Sequence, residues 1–209
     1  MVETHVDGLT KLNDRVALEN DLEEAIRKGH QVAVALLDVD HFMSINSTLG
    51  HSKGDEVLQY VVNKLNECEG AQSYRTSGDE FAILFPRFSL EQAFLAAEDL
   101  RKSVGGTTEE GKLTDFQIPL TVSVGVAQYP RDAKDAVALL KAADSALWAV
   151  KEAGRNRVGL PVPEEMVLKS CQYSSSSLRR LKMLAEKLGQ TESSLLREAL
   201  TNLLQKYDE

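Results

Sequence analysis

Apolar residues follow two different spacings along the chain, one typical of helices and the other typical of strands. Helical spacing before residue 160 predicts helices at 15–28, 52–66, Leu90–Val104 and 133–153. Continuous or alternating apolar runs predict strands at 31–37, 72–76, 80–85 and Leu120–Ala127. The polar segment 105–116 is predicted to be an exposed loop. This order of elements is typical of an α+β domain with a split βαβ core and helices on one face of its sheet.

A break in the pattern separates a second, smaller module. The segment Leu160–Pro163 contains two prolines and no helical spacing, so we expect a domain boundary there. The predicted division is a first domain at 1–160, a linker at 161–165 and a second module at 166–209. The elements predicted within this module are an extended stretch at Met166–Tyr173 and helices at Leu178–Leu188 and Glu192–Tyr207. A module this short cannot form a large core by itself.

Composition and charge exclude some classes of function and disfavour others. The chain has 209 residues, of which 43% are hydrophobic and 27% charged, as is ordinary for a globular protein. No apolar run approaches the ~20 residues that span a membrane, and the N-terminus lacks the pattern of a signal peptide. We therefore expect a soluble, cytoplasmic protein with no membrane partner. The net charge is −8, with the whole excess in residues 1–163, which disfavours nucleic-acid binding by the first domain. Cys68 and Cys171 belong to no cluster typical of zinc sites.

Four carboxylates follow predicted strands. Asp38 and Asp40 come directly after the buried run 31–37, and Asp79 and Glu80 lie at the predicted hairpin turn. If the two strand ends are neighbours, these acids repel one another unless a cation holds them. Mg²⁺ binds carboxylate oxygens and shares its coordination sphere with substrate phosphates. The pattern leaves two interpretations open, a divalent-metal site and a set of ordinary solvated loop residues.

A series of short motifs in a fixed order carries a family resemblance. The motifs are Asp7–Arg15, Asp38–Phe42, Asn46 with Gly50-His51 and Gly54-Asp55, Arg75–Phe81, Ser123–Ala127, Ala143–Leu147 and Lys151–Asn156. Together they resemble the GGDEF domain family, the diguanylate cyclases, over residues 7–160. The resemblance implies a ferredoxin-like, palm-type α+β fold. It also implies an enzyme that condenses two GTP molecules into cyclic di-GMP with Mg²⁺, or with Mn²⁺ in its place.

The resemblance implies roles for individual residues. The expected metal ligands are Asp38, Asp79 and the carbonyl of Val39. Either Asp79 or Glu80 is expected to take the proton of the attacking 3′-hydroxyl. The expected substrate contacts are the backbone N–H groups of His41 and Phe42 and the side chains of Lys151 and Arg155 at the phosphates, Asn46 and Asp55 at guanine, and Gly78 where the nucleotide approaches closely. Because Lys151 and Arg155 are four residues apart, they are expected on one face of a single helix.

Several positions depart from the family pattern. Met43 stands where the family has a phosphate-binding lysine, which makes reduced turnover an expectation, and Ser47 replaces an acid. Ser77 replaces the first glycine of the hairpin, where a small residue still permits a tight turn. Residues 68–71 do not form the family's RxxD inhibitory site, so product feedback through such a site is not expected.

Other conspicuous side chains are expected to be structural. Trp148 stands where the family has an aromatic residue in its closing helix, and it is predicted to pack in the core. Met166 and Met183 are likewise predicted to be core residues. His51 is predicted to orient a loop rather than to transfer a proton.

Residues 166–207 resemble a ribbon–helix–helix module. The resemblance rests on Tyr173-Ser174, on the leucine spacing in 178–189 and on the helix start at 191–195. It implies a homodimer in which two chains pair their strands, which raises the effective concentration of two cyclase half-sites. It also implies DNA contacts. Leu168, Ser170 and Gln172 are expected to face the major groove of DNA, and the start of the second helix near Thr191 is expected to bind a DNA phosphate.

The charge of this module bears on the DNA contacts. Its acidic and basic residues balance, whereas sequence-specific DNA binding usually rests on a positive surface. Three functions therefore stay open. The first is a diguanylate cyclase whose tail only dimerises it. The second is a DNA-binding transcriptional regulator whose GGDEF domain senses GTP or cyclic di-GMP with little turnover, and the third is a structural dimer scaffold.

Overall fold

A computed structural model describes residues 6–105, 119–161 and 170–207. The chain divides into two compact units, Met1–Pro163 and Glu164–Glu209. The predicted loop at 105–116 lies outside the described residues except for Gly105. Of the predicted linker 161–165, only Pro161 is among the described residues. Met166 and Leu168 also lie outside the described residues. Among the described residues, no helix combines the length and the apolar composition that crossing a membrane requires.

The first unit is a five-stranded sheet with helices packed on it. Its elements are α1 (Arg15–Arg27), β1 (Val32–Val39), α2 (Phe42–Leu49), α3 (His51–Asn66), β2 (Gln72–Ser77), β3 (Glu80–Pro86), α4 (Leu90–Val104), β4 (Val122–Tyr129), α5 (Ala136–Glu152) and β5 (Val158–Gly159). The strand order is β2-β3-β1-β4-β5. The pairs β2–β3, β3–β1 and β1–β4 are antiparallel, and β4–β5 is parallel. The predicted α+β class is confirmed.

Helices cover both faces of this sheet. Alternate residues of β1 belong to two separate apolar clusters, since Ala33 and Ala35 pack with α3 and α4, whereas Val32 and Val34 pack with α1 and α5. The prediction of helices on one face is therefore wrong. The run 32–35 is apolar without polar alternation and is fully buried, so each face of the strand needs a covering layer.

Local signals explain where the main helices begin. Ser89 and Gln92 form a reciprocal capping box at α4, and Asp14 accepts the N–H of Ala17 at α1. Asp135 caps α5 by accepting the N–H of Ala138, so this helix begins three residues later than the apolar spacing predicts. The short elements α2 and β5 were not predicted, because eight and two residues respectively are too few to show a clear period.

Close packing of α5 on β4 depends on a glycine. A β-carbon at Gly125 would overlap with the backbone atoms Ala143 O and Leu147 N of the helix. The absent side chain therefore lets α5 lie directly against the strand next to β1. This contact brings the C-terminal end of α5 close to the end of β1.

The second unit is described as a pair of helices, α6 (Ser175–Leu188) and α7 (Glu192–Tyr207). Ser174 caps α6 by accepting the N–H of Ser177, and Gly189, with φ +65°, ends it. The described part of the predicted extended stretch, 170–173, forms no strand. Among the described side chains of this unit only Ala185 and Leu195 are buried hydrophobics, and Met183 is 69% exposed. The prediction of Met183 in a core is wrong for the single chain, because α6 and α7 alone do not enclose it.

Candidate active site

Carboxylates from two strand ends meet at the end of β1. Asp38 lies opposite Glu80 of β3 in the antiparallel register, and it lies opposite Ser123 of β4 on its other side. The N–H of Val39 donates to the carbonyl of Asp79 at 3.2 Å. The β2–β3 hairpin therefore brings Asp79 and Glu80 beside Asp38 and Val39, as the sequence predicted for strand ends that are neighbours.

Asp38 is a largely enclosed acid of this group. Burial raises its pKa, and the charges of Asp79 and Glu80 raise it further, whereas a hydrogen bond and ion pair with Lys151 act in the opposite direction. The Nζ atom of Lys151 lies 2.7 Å from Asp38 Oδ2, and only 14% of the Asp38 side chain is exposed. A negative charge at this buried position is costly without a cation nearby, and the ammonium of Lys151 supplies that positive charge.

The donor atoms suit a hard divalent cation. Asp38 and Asp79 supply carboxylate oxygens, and the carbonyl of Val39 is a further oxygen of the same kind. In the described ranges no group of three or more His, Cys, Asp or Glu side chains is placed to hold a metal ion. A set of two carboxylates and one carbonyl leaves coordination positions to water and to substrate phosphates, which is how proteins usually bind Mg²⁺.

Asp40 does not belong to the carboxylate group. Its side chain is only 3% exposed and accepts hydrogen bonds from the hydroxyls of Thr121 and Ser123, each at 2.7 Å. It also accepts the backbone N–H of Asn156 at 3.1 Å. The inclusion of Asp40 with the other three acids is therefore corrected: Asp40 lies in the turn after the end of β1 rather than in the strand, and these three donors stabilise its buried carboxylate.

An unpaired acceptor lies between α2 and α3. Asn46 Oδ1 is buried and has no hydrogen-bond partner among the described residues. A β-carbon at Gly54 would overlap with this oxygen, so the glycine provides the room in which the Asn46 side chain lies. Asp55 follows Gly54 on α3 with an exposed carboxylate. A buried acceptor without a donor is destabilising, and it suits a ligand that supplies an N–H group.

Backbone donors mark the start of α2. His41, with φ +59°, precedes the helix, and its carbonyl accepts the N–H of Ser44. Within the described part of the chain, the N–H groups of His41 and Phe42 make no hydrogen bond. Free N–H groups at a helix start favour anions. Met43 beside them is 84% exposed, and its side chain offers no positive charge.

Lys151 and Arg155 do not share a helix. Lys151 lies in the last turn of α5, whereas Arg155 follows Gly154 and has a φ of +63°. The expectation of two cations on one helix face is wrong, because Gly154, with φ +105°, ends the helical geometry between them. Both residues still lie at the end of α5 that approaches Asp38 through Lys151.

Arg75, for which the sequence predicted no individual role, holds the hairpin turn. Arg75 donates through Nε and Nη2 to the carbonyl of Gly78, at 3.0 and 2.6 Å, and through Nη1 to Asp7 at 2.8 Å. Although burial opposes the shift, hydrogen bonds from Thr10 and Arg75 lower the pKa of Asp7 to about 2. Gly78 has a φ of +25°, which favours glycine in this turn. Asp7 and Arg75 belong to the first and fourth motifs, 68 residues apart, and no pattern in the sequence indicated that they are in contact.

Ser77, Trp148 and His51 are the remaining residues for which the sequence predicted an environment or a role. The hydroxyl of Ser77 donates to Glu80 Oε2 at 2.8 Å, so the serine adds a contact that a glycine would lack. Trp148 is 65% exposed, and its predicted core position is wrong, because it follows the buried Leu147 by one residue and so lies about 100° further around α5. His51 is the first residue of α3, and its role in orienting a loop stays a prediction.

In the second unit, three residues predicted to contact DNA lie in the described part of the chain, and Ser170, Gln172 and Thr191 are all exposed. Ser170 and Gln172 lie in the described stretch that forms no strand. Thr191 Oγ1 accepts the N–H of Ser194 at 3.1 Å, which is a helix-capping contact at the start of α7. These contacts are those of a capped helix pair and do not test DNA binding.

Known proteins resemble the first unit in sequence and in structure. The family described as "Diguanylate cyclase, GGDEF domain" matches residues 4–157. Diguanylate cyclase VdcA of Vibrio cholerae is 33% identical over 155 residues, which are 73% of this chain and 45% of that protein. Diguanylate cyclase DgcM of Escherichia coli is 36% identical over 160 residues, 74% of this chain and 38% of the relative. The chain thus spans less than half the length of these relatives.

A solved structure extends the similarity to the fold. The GGDEF domain of DgcB from Caulobacter crescentus, determined in complex with c-di-GMP, is 32% identical and superimposes with a TM-score of 0.67. The match covers 76% of this chain and 96% of that domain.

Proposed function

The chain belongs to the GGDEF domain family of diguanylate cyclases, and on that premise we propose that it condenses two GTP molecules into cyclic di-GMP and pyrophosphate. The observation that carries the proposal is the convergence of Asp38, Asp79 and Glu80 at the end of β1, with Lys151 as their nearest cation. Acids from adjacent strands at a half-buried site suit phosphoryl transfer, which depends mainly on charge compensation and positioning.

Asp38, Asp79 and the carbonyl of Val39 would hold Mg²⁺, or Mn²⁺ in its place. When bound, such an ion neutralises the triphosphate and polarises the α-phosphate and the attacking hydroxyl. The residues of the chain then have separate tasks. Asp79 or Glu80 accepts the proton of the 3′-hydroxyl as its oxygen attacks the α-phosphorus and pyrophosphate leaves. The hydrogen bond from Ser77 holds the Glu80 carboxylate in one orientation for that role.

The cations and backbone donors act on the phosphates. Lys151 and Arg155 would contact the β- and γ-phosphates. The N–H groups of His41 and Phe42 take further phosphate oxygens, and Gly78 permits close approach of the nucleotide. Met43 supplies no charge at this end of the site, so we propose turnover below that of a chain with a lysine there.

Asn46 and Asp55 select guanine. The buried oxygen of Asn46 is an acceptor without a donor, and guanine presents N–H groups on its Watson–Crick edge. The exposed carboxylate of Asp55 accepts two such bonds. Adenine would leave these acceptors unpaired, which is the strong form of discrimination available to a binding site.

The second unit supplies the dimer that the reaction needs. Cyclic di-GMP has twofold symmetry, so its synthesis requires two GTP-loaded sites facing each other. Large apolar side chains of the second unit are exposed in the single chain, namely Tyr173, Leu178, Met183, Leu184, Leu188, Leu196, Leu200, Leu203 and Leu204. So small a unit with so much exposed apolar surface suits association with a second copy. Dimerisation then raises the effective concentration of the two half-sites.

We assign residues 1–160 to the cyclase domain, 161–165 to a linker and 166–209 to a ribbon–helix–helix module. The division of the chain after Pro163 supports this assignment. We propose no DNA-binding function, because the family match bears on the cyclase and no described contact of Ser170, Gln172 or Thr191 favours DNA.

Chromatography of reaction products tests the proposal. The full chain is incubated with Mg²⁺ and GTP, ATP or both, and we expect cyclic di-GMP from GTP and no product from ATP alone. Asp79→Ala should abolish product with an unchanged melting temperature, because the side chain lies at the hairpin turn and outside the core. Asp99→Ala, the same change at an 83% exposed position of α4, is the control and should keep activity. Absence of any cyclic dinucleotide at high protein concentration would refute the proposal.

A further inference from the structure

The buried carboxylate of Asp40 joins three parts of the first unit. It follows β1, it accepts two hydroxyl hydrogen bonds from Thr121 and Ser123 at the start of β4, and it accepts the backbone N–H of Asn156. The last contact links it to the turn 154–157, which follows α5. Asp40 lies two residues from Asp38, so the same strand end carries the metal-ligand candidate and the anchor of this turn.

The turn 154–157 has an unfavourable backbone conformation. Gly154, Arg155 and Asn156 have φ values of +105°, +63° and +48°. Two consecutive residues with side chains in the left-handed region are strained and persist only where neighbouring groups hold them. The conformation of Arg155 therefore depends on contacts made by the surrounding chain.

Within the turn, Arg155 donates its N–H to Val150 O of α5 at 3.0 Å, and Arg157 O accepts the N–H of Val124 at 3.0 Å. Asn156 is held from two further sides. Asp40 accepts the N–H of Asn156, and Arg101 of α4 donates through Nη1 to Asn156 Oδ1 at 2.8 Å. Arg101 is in turn paired with Glu98 at 3.0 Å, and Glu98 accepts the N–H of Val158 at 3.3 Å. Of these two hydrogen bonds to Asn156, only the one accepted by Asp40 connects the turn to the end of the strand that carries Asp38.

We propose that Asp40 is a positioning residue for the triphosphate: by holding Asn156 it keeps Arg155, and the end of α5 with Lys151, at the correct distance from Asp38. This inference rests on the proposed function, in which Lys151 and Arg155 contact the phosphates. Asp40 touches neither substrate nor metal. It acts through the backbone of the turn, whose displacement by a fraction of an ångström weakens several charged contacts at once.

The guanine end of the site shares none of these contacts. Asn46 and Asp55 lie on α2 and α3, and no hydrogen bond in the described residues joins them to Asp40, Arg101 or Asn156. Loss of the anchor should therefore weaken binding of the triphosphate and leave binding of the base unchanged. A residue that only stabilised the fold would affect both ends of the nucleotide equally.

Two ligands separate these possibilities by calorimetry on the full chain with Mg²⁺. The first, 3′-deoxy-GTP, keeps the triphosphate but lacks the attacking hydroxyl and is not consumed; GMP keeps the base and lacks the β- and γ-phosphates. Asp40→Asn removes one acceptor oxygen and the negative charge. We expect its Kd for 3′-deoxy-GTP to rise about tenfold and its Kd for GMP to stay within about twofold of the unchanged chain.

Asn156→Ala is a second variant at an exposed position. It keeps the backbone N–H that Asp40 accepts, so it tests whether the position of the turn 154–157 controls triphosphate binding even if Asp40→Asn does not fold. It removes the contact with Arg101 and should shift the ratio of the two Kd values in the same direction. Asn63→Ala, at an exposed position of α3, is the matched control and should leave the ratio unchanged.

The outcomes are distinct. Selective loss of 3′-deoxy-GTP binding in both variants supports the inference. Equal weakening of both ligands, or no change in either variant, overturns it while leaving the proposed function intact. A chain without substitutions that binds 3′-deoxy-GTP no better than GMP would contradict the proposed function itself and the positioning role with it.

Discussion

Gly54 shows how one missing side chain shapes the candidate base site. It lies inside α3, where replacing glycine by alanine usually stabilises a helix by about 1 kcal/mol. Here an added β-carbon would overlap with Asn46 Oδ1 and would lie 3.3 Å from Phe42 Cζ. The Asn46 side chain would have to move, and since its oxygen has no protein partner, the movement breaks no described hydrogen bond.

We therefore predict that Gly54→Ala separates stability from binding. The melting temperature should stay the same or rise, whereas the Kd for 3′-deoxy-GTP should increase about tenfold through loss of one buried hydrogen bond. Calorimetry and thermal unfolding of the same samples measure the two effects. Gly8→Ala is the control, because no atom lies within 4 Å of its added β-carbon. Unchanged nucleotide affinity in Gly54→Ala would remove Asn46 from the site.

Residue types and their order predicted which residues approach the end of β1, but not how each side chain is surrounded. Asp38 and Asp40 belong to one short motif and have different environments: the first lies beside other acids and Lys151, and the second accepts three hydrogen bonds in the interior. Their environments differ because Asp38 is in β1 while Asp40 lies in the turn that follows the strand, and because the donors to Asp40 are more than eighty residues away in the sequence. No local pattern carries information about such distant donors.

At the scale of elements, the pair Asp7 and Arg75 joins the N-terminal turn to the β2–β3 hairpin. Because the pKa of Asp7 is lowered from 3.8 to about 2, its carboxylate stabilises the folded state above pH 3.8, and this stabilisation is lost as pH falls through about 2. A shift of this size corresponds to about 2 kcal/mol.

Asp7→Asn should therefore lower the free energy of unfolding at pH 7 by about 2 kcal/mol. The difference between the variant and the unchanged chain should shrink as pH falls from about 4 to about 2. Urea unfolding across this range measures it, with the highly exposed Asp99→Asn as the control. If the two unfolding profiles run parallel throughout the range, the Asp7 carboxylate does not couple the turn to the hairpin.

The long helices and strands were predictable from the sequence, because the spacing of their apolar residues repeats over several helical turns or over several pairs of strand residues. The helix Leu90–Val104 has the bounds predicted for it, since Ser89 starts it and Gly105 follows its last residue. The face of the sheet on which each helix packs was harder to predict from the sequence, because a strand buried on both sides shows no alternation of apolar and polar residues. The position of Arg155 was missed for a related reason: spacing alone does not reveal that Gly154 ends the helix.

At the scale of the whole molecule, the proposal makes catalysis depend on association of the second unit with that of another chain. The apolar side chains exposed in the single chain include Leu184 at 46%, on α6. A charge buried at this position between two copies would be unpaired and strongly unfavourable. Each first unit carries one half-site, so weaker association should lower activity without altering the half-site itself.

Leu184→Glu should therefore convert a dimer into a monomer by light scattering, and it should reduce cyclic di-GMP formation at low protein concentration. Activity per chain should recover as concentration increases, because the two half-sites then meet by diffusion rather than through a linked dimer. Lys182→Glu introduces the same side chain on the same helix at a polar position, and it should leave both mass and activity unchanged. If Leu184→Glu is monomeric yet as active as the unchanged chain at every concentration, the second unit does not supply the catalytic dimer, and the exposed leucines serve a different association.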